Sequence, residues 1–265
     1  MDIFSTNKAA ELIWANWVNN SKLEFLPENC RPMTREEGYA CQSMLPKVSG
    51  QKVMGWKIAA TSSVGQAHIN VSGPLAGRIL SGQIFQDGDA VPSVGNWMQV
   101  AEPEMAFCLS SDLIARNRVY SEDEVMLAVE SLHPSLEIPN SRFTKFTDAG
   151  EAQLLADNAC AHHFILGPQA PEGWRNLDLS AHSVNANVIS LDGKRWERTG
   201  SGSAVLGDPR KALTWLVNEL SSQGISLYAG EFITTGTCMT PLELVPGDTV
   251  TADFGVLGKV ALRFV

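Results

Sequence analysis

At 265 residues the chain is too long for a peptide module and short for two full-sized domains, and its 44% hydrophobic and 18% charged residues are those of a folded globular protein. Its 29 acidic against 20 basic residues leave a net charge of -9, which repels phosphate backbones and excludes general nucleic-acid binding. Five scattered cysteines without a C-x-x-C pair exclude a zinc knuckle and a disulfide scaffold, and no secretory leader or run of about 18 apolar residues occurs, so a cytoplasmic setting without a membrane partner is expected.

Ala9, Ile13, Trp14 and Trp17 recur at helical spacing and predict a first helix whose tryptophan face is core. Thr34 and Glu37 have the spacing of a capping box and open a second helix. Lys52 to Ala60 is short, apolar and strand-like, and Gly73-Pro74 and Asp87-Gly88 mark turns. Val100 to Leu109 alternates as a strand. Ser121 and Glu124 form another capping box, and Val125, Leu127, Val129 and Leu132 predict a short helix after it. The segment LLADNAC reads as a helix with His162-His163 at its end.

Ser183 to Leu191 runs into Asp192-Gly193, a hairpin signal. Asp208 is a predicted N-cap with Pro209 behind it, and Ala212, Leu213, Leu216, Val217 and Leu220 form one apolar face that Gly224 ends. Glu231 to Thr235, Thr249 to Phe254 and Lys259 to Val265 close the chain as strands, with Pro246-Gly247-Asp248 as a turn. Helices lead and strands follow. The expected class is α+β: one unit over 1–265, mainly helical in 1–90 and β-rich in 91–265.

The sharpest chemical feature is Glu102-Pro103-Glu104. Residues two apart on a strand point the same way, so the two carboxylates repel unless one protonates or a cation lies between them. A hard divalent cation such as Mg²⁺ satisfies such a pair. The alternative is an exposed acidic strand edge, which Pro103 favours. Glu137, between Leu136 and Ile138, is either a buried acid or a loop acid. Lys57, between Trp56 and Ile58, is either a buried cation that meets an anionic substrate or an edge lysine reaching for water. Gly200 to Ser203 and Thr234 to Thr237 are glycine-containing stretches that either turn the chain or hold an anion. No G-x-S-x-G elbow and no H-E-x-x-H spacing is present, which disfavours a standard serine hydrolase and a zincin.

With these residues in view the chain resembles the 2-keto-4-pentenoate hydratase and 4-oxalocrotonate decarboxylase family of the fumarylacetoacetate hydrolase superfamily. GWKIAATS (55–62), GPLAGRIL (73–80), AEPEMAF (101–107), PSLEIPNSRF (134–143), LADNAC (155–160), GSGSAVLGDPRKALTWL (200–216), GEFITTGT (230–237) and PGDTVTADFGVLGKVALRF (246–264) carry the resemblance by their joint order. It implies a mixed β-sheet roll of the fumarylacetoacetate hydrolase C-terminal type behind a helical segment. It also implies an Mg²⁺ or Mn²⁺ site on Glu102, Glu104 and Glu137, with Glu104 and Lys57 catalytic. Lys57, Cys160, Thr235, Gly236 and Thr237 would line the substrate pocket.

The implied reaction adds water to a 2-hydroxy-2,4-dienoate, giving a 4-hydroxy-2-oxo acid, in a homo-oligomeric enzyme of aromatic catabolism. The alternatives are decarboxylation of a 2-oxo-3-enedioate, acylpyruvate-type C–C hydrolysis, and a catalytically silent binding protein. Gly73 to Leu75, Asn140 and Cys160 differ from the residues many family members carry there.

Overall fold

The side chain of Asp2 accepts from the Ser5 amide at 2.8 Å and starts helix α1 (Ile3–Val18). The computed structural model describes every residue from Met1 to Val265. Helix α1 buries Ala9, Ala10, Ile13 and Trp17 and packs against α2 (Arg35–Ser43) and α3 (Leu45–Ser49), so its tryptophan face is core, as expected. The Thr34 hydroxyl caps α2 through the Glu37 amide, but the Glu37 carboxylate binds the chain's amino terminus at 2.6 Å instead of closing the box.

Two sheets follow. The larger runs β2 (Leu75–Leu80), β1 (Val53–Ala59), β10 (Phe232–Thr237), β5 (Val100–Leu109), β6 (Val129–Ile138), β7 (His163–Leu166) and β3 (Ile84–Gln86), with β11 (Leu242–Glu243) also paired to β5. The smaller runs β4 (Ala90–Val91), β13 (Lys259–Phe264), β12 (Thr249–Asp253), β8 (Ser183–Ile189) and β9 (Arg195–Ser201). Helix α4 (Ser63–His68) links β1 to β2, and α5 (Glu122–Leu127), α6 (Glu151–Ala156) and α7 (Pro209–Ser222) cover the sheets. One continuous core joins Ile13 of α1, Phe107 of β5, Leu216 of α7 and Leu262 of β13. Helices plus mixed sheets make the molecule α+β. Strands β1 to β4 already lie within residues 53–91, so the leading helical layer ends at Ser49 and the rest of that part is built into both sheets.

Three local expectations are corrected. The capping box at Ser121 and Glu124 forms, but its helix stops at Leu127; Val129 and Leu132 belong to β6, and Leu127 is exposed. β-branched Val129 and apolar Leu132 are both buried in a strand in the middle of the sheet. Helix α6 ends at Ala156, and Asn158, Ala159 and Cys160 take positive φ values of 57, 51 and 61°, so the histidine pair sits at the start of β7 and not at a helix end. Pro103 does not mark an edge, because β5 runs between β10 and β6. A bulge between Thr234 and Thr237 of β10 faces it. The Cys238 amide donates to the Pro103 carbonyl at 2.8 Å, while the Cys238 carbonyl takes the Ser201 amide at 2.9 Å. No acceptor waits for the N–H that proline lacks.

Candidate metal centre and its cavity

Register assembles the acids. On β5 and β6 Glu102 stands directly opposite Glu137, and Glu104 opposite Ser135. Directly paired residues share a face, and so do residues two apart on one strand, so all three carboxylates project together. Each offers an oxygen within 4.8 Å of the other two. Glu104 and Glu137 are buried, and Glu102 is half-buried and opens onto the cavity.

Like charges opposite one another destabilise a sheet unless something neutralises them. Two protein groups do part of that. The hydroxyl of Thr234 and the amide of Gly236 both donate to Oε2 of Glu104, the amide at 2.8 Å. Lys57, on β1, lies with Nζ 3.0 Å from Glu137 Oε2 and donates to the Ala159 carbonyl at 3.1 Å. Glu104 Oε1 and Glu137 Oε1 accept no hydrogen bond from the protein. Two buried orphaned carboxylate oxygens, with a half-exposed third acid at the cavity floor, fit a hard divalent cation that takes carboxylate oxygens and leaves positions for other ligands.

The protonation pattern carries the same strain. Burial raises Glu104 well above the carboxylate range, and the charges of Glu137 and Glu102 raise it further, against Lys57 and Thr234. Burial also pushes Glu137 up to about 7 despite the pull of Lys57. It raises Glu102 as well, again opposed by Lys57. For Lys57 burial acts downward, but the charges of Glu137, Glu102 and Glu104 outweigh it and keep the side chain an ammonium. Burial lifts Cys160 to about 12, with the Asp157 charge adding to it, so this residue is a neutral thiol.

Through Glu102 the acid cluster adjoins a cavity of about 940 Å³, while Glu104 and Glu137 lie buried behind it. Lys57, Glu102, Cys160 and Thr237 line it, together with Ser141 and apolar walls from Ile58, Ile69, Met98 and Phe146. Two expected pocket residues do not line it. The Thr235 hydroxyl donates to the Met105 carbonyl at 2.8 Å, inside the sheet, and Gly236 spends its amide on Glu104. Thr234 pairs with Ala106, two residues from Glu104 on the same face of β5, so ordinary alternation places its hydroxyl on the acid cluster and turns Thr235 away, while the bulge brings Thr237 opposite Glu104. Thr234 lies in the stretch that sequence reading marked, but only the register of β10 against β5 reveals its direction. Asn140 braces the cavity mouth: it accepts from the Trp97 amide at 2.9 Å and donates to the Gly95 carbonyl at 2.8 Å.

Behind Lys57 lies a buried ion pair. Arg142 Nε meets Asp157 Oδ1 at 2.5 Å, Ser141 donates to Asp157 Oδ2 at 2.7 Å, and the Arg142 guanidinium sits 4.0 Å from the Trp17 ring centroid. This network precedes the left-handed Asn158 to Cys160 segment, whose Ala159 carbonyl receives Lys57.

Residues 81–265 match the family model for the fumarylacetoacetate (FAA) hydrolase C-terminal domain. The chain is 31% identical over 264 residues to the 2-keto-4-pentenoate hydratase of Paraburkholderia xenovorans (strain LB400), covering 97% of this chain and 94% of that one. It is 32% identical over 244 residues to the 2-hydroxyhexa-2,4-dienoate hydratase of Comamonas testosteroni, covering 90% and 89%. Among solved structures it resembles 4-oxalocrotonate decarboxylase from Pseudomonas putida G7, complexed with magnesium and adipate, with a TM-score of 0.87 and 26% identity over 100% of this chain and 99% of that one. The chain belongs to the fumarylacetoacetate hydrolase C-terminal family. Within it, the relatives of nearly equal length are hydratases of 2-keto-4-pentenoate type and a decarboxylase.

Proposed function

We propose that the protein is a hydro-lyase that adds water to a 2-hydroxy-2,4-dienoate in the presence of Mg²⁺ or Mn²⁺, in the breakdown of aromatic or related compounds. One observation carries the reading: three carboxylates within 4.8 Å of one another, two of them with orphaned oxygens, lie beside a buried lysine, and Glu102 and that lysine line a substrate-sized cavity. The length and names of the hydratase relatives support it.

Glu102, Glu104 and Glu137 would hold the cation. When bound, it supplies Lewis-acid polarisation of the oxygen on C2 of the acid. Lys57 places a positive charge where an anionic substrate would otherwise meet three acids, and it orients the carboxylate end of the dienoate toward the floor. The reaction balances without a redox partner. The enol O–H proton leaves, C5 takes a proton, and the double bond moves to C3–C4. Water then gives hydroxide to C4 and a proton to C3, leaving a 4-hydroxy-2-oxo acid. The protic groups lining the cavity include the Lys57 ammonium, the Ser141 and Thr237 hydroxyls and the Cys160 thiol. The thiol, held neutral, is suited to hold or pass a proton and not to attack as a thiolate. The apolar walls exclude bulk water, which strengthens the charges at the floor.

A second reading, decarboxylation of a 2-oxo-3-enedioate, is favoured by one observation: the likeness to the decarboxylase spans the whole chain. Purified protein with Mg²⁺ and 2-hydroxypenta-2,4-dienoate decides between them. Loss of the diene absorbance with formation of the 4-hydroxy-2-oxo acid supports hydration. CO₂ release from a 2-oxo-3-enedioate, without hydration of the dienoate, overturns it in favour of the second reading.

A further inference from the structure

The cavity carries a second lysine. Lys57 at the floor is engaged by Glu137 and the Ala159 carbonyl. Lys22 lines the same cavity at its mouth, half-buried, with Nζ 5.1 Å from the Trp97 ring centroid and no carboxylate within 4.0 Å. The other mouth charge, Glu243, is already paired with Arg198 at 3.3 Å. The nearby Asp157 is spent on Arg142 and Ser141. Apart from Glu102, which belongs to the acid cluster, the cavity-lining charge without an ion-pair partner is therefore a cation, Lys22.

That cation is held in place. The backbone beside it is pinned through Leu23, whose amide donates to the Arg142 carbonyl at 2.8 Å and whose carbonyl accepts from the Thr144 amide at 2.7 Å. Its aromatic platform is pinned by Asn140 through the Trp97 amide. Asn20 packs so tightly on Gly95 that a Cβ there would stand 2.0 Å from its Oδ1, which locks the Lys22 segment against the Trp97 loop. Between floor and mouth the wall is apolar, through Ile69, Met98 and Phe146. The volume of about 940 Å³ lies near the top of the range, roughly 300–1,000 Å³, that encloses a drug-sized ligand, and a dienoate head alone fills little of it.

We infer that Lys22 is a specificity-determining residue that receives a second, terminal carboxylate, so that the preferred substrate is a dicarboxylic 2-hydroxy-2,4-dienoate whose tail crosses the apolar middle of the cavity. The inference rests on the hydratase reading for the identity of the head group. A partly desolvated ammonium with no partner gains a charge-assisted hydrogen bond from such a tail, and a neutral tail leaves it unsatisfied.

The test compares kcat/KM for 2-hydroxyhepta-2,4-dienedioate with that for 2-hydroxyhepta-2,4-dienoate, which has the same carbon count and a methyl end. The wild type is expected to favour the diacid about tenfold or more, the size of one hydrogen bond to a charged group. Lys22→Gln should cut the ratio about tenfold, and Lys22→Glu should invert it, with thermal melting confirming that both variants fold. A wild-type ratio near one, or a ratio unchanged in Lys22→Gln, overturns the inference. Calorimetry with Mg²⁺ and two inert probes, adipate and hexanoate, separates the two levels of the argument. Tighter adipate binding that is lost in Lys22→Gln, without hydration of either dienoate, leaves Lys22 standing and removes the hydratase reading. Hydration of both dienoates with equal binding of the two probes removes the role of Lys22 alone.

Discussion

Lys57 and Glu137 form a buried pair, Nζ to Oε2 3.0 Å, whose two members come from strands that are not neighbours: β1 reaches β6 across β10 and β5. The pair is therefore a property of the curled sheet and not of a hairpin. The Lys57 stem also packs closely on Gly77, where an added Cβ would stand 3.2 Å from its Cδ. Lys57→Met should keep the fold and lower kcat by about 100-fold, the order seen when one preorganised donor is removed from an active site. Lys57→Arg should not restore activity, because the planar guanidinium presents its donors in a fixed fork and does not reproduce the single ammonium held between Glu137 and the Ala159 carbonyl. Steady-state kinetics on the dienoate checks both, and near-wild-type kcat in either variant contradicts the role.

Magnesium is expected to raise the melting temperature of the wild type by several degrees, since a ligand at a hundredfold excess over Kd adds about 2.7 kcal/mol to the folded state. Glu104→Gln keeps the shape and the two donors from Thr234 and Gly236 meet a neutral amide oxygen. That variant should lose the magnesium effect, and its metal-free form should melt no lower than the metal-free wild type, because one of three mutually repelling acids is gone. Differential scanning calorimetry with and without Mg²⁺ reads both quantities. A magnesium shift retained in Glu104→Gln would remove that glutamate from the cation site.

The acid pair on β5 was legible because the E-P-E spacing alone places both carboxylates on one face. The partnership of Glu102 with Glu137 came only with the family resemblance, since it depends on the register of β5 against β6, which no local pattern encodes. Pro103 misleads for a related reason: proline is kept to edges because an interior partner would lose its donor, and here the facing Cys238 carbonyl takes the Ser201 amide instead. The register of β10 on β5 turns Thr234 onto Glu104 and Thr235 into the sheet, so of the stretch singled out Thr237 lines the cavity, while Thr235 and Gly236 do not. The helix expected through Val129 and Leu132 failed where four apolar positions fit two periods at once. The α+β class survived these errors because it rests on long segments, α1, α7 and the closing strands, whose caps and alternation agree.

Glu137 carries a pH prediction. Its folded-state value is pushed from 4.5 to about 7, so without a cation the folded state holds a proton that the unfolded state releases. Stability contributed by that proton is present below pH of about 4.5 and is lost as pH rises through about 7, by an amount of order 3 kcal/mol. The metal-free protein should thus weaken over that window. Cation affinity should rise over the same window, because binding needs the carboxylate. Urea titrations at a series of pH values, in chelator and in Mg²⁺, test the pair of trends. Metal-free stability that climbs between pH 5 and 7 would contradict the assignment.

Arg142 and Asp157 lie nearly without solvent contact. Asp157→Asn strands the guanidinium in the core and should cost about 3–5 kcal/mol, the range for breaking a buried ion pair. The local damage should reach the site, because Asp157 leads directly into the left-handed segment whose Ala159 carbonyl receives Lys57. Urea unfolding gives the first effect. The second appears as a loss of kcat at temperatures where the variant is still folded, and an unaffected kcat there would confine Asp157 to stability.

Gly236 is the backbone position on which the cation site depends most directly. Its φ is +106°, a conformation that residues with a Cβ avoid, and a Cβ there would stand 2.3 Å from Thr61 Oγ1. Gly236→Ala must either strain the bulge, at about 1–3 kcal/mol, or relax it by rotating the amide away from Glu104 Oε2, which now accepts it at 2.8 Å. Relaxation frees a buried carboxylate oxygen that already repels two neighbours, so cation affinity should fall together with stability. Thr234→Val separates the two contributions: it removes one donor to Glu104 without touching the backbone, and should weaken cation binding while leaving the β10 bulge intact. Isothermal titration with Mg²⁺ ranks the two variants, and a Gly236→Ala protein with wild-type affinity would show that the amide does not hold Glu104 in place.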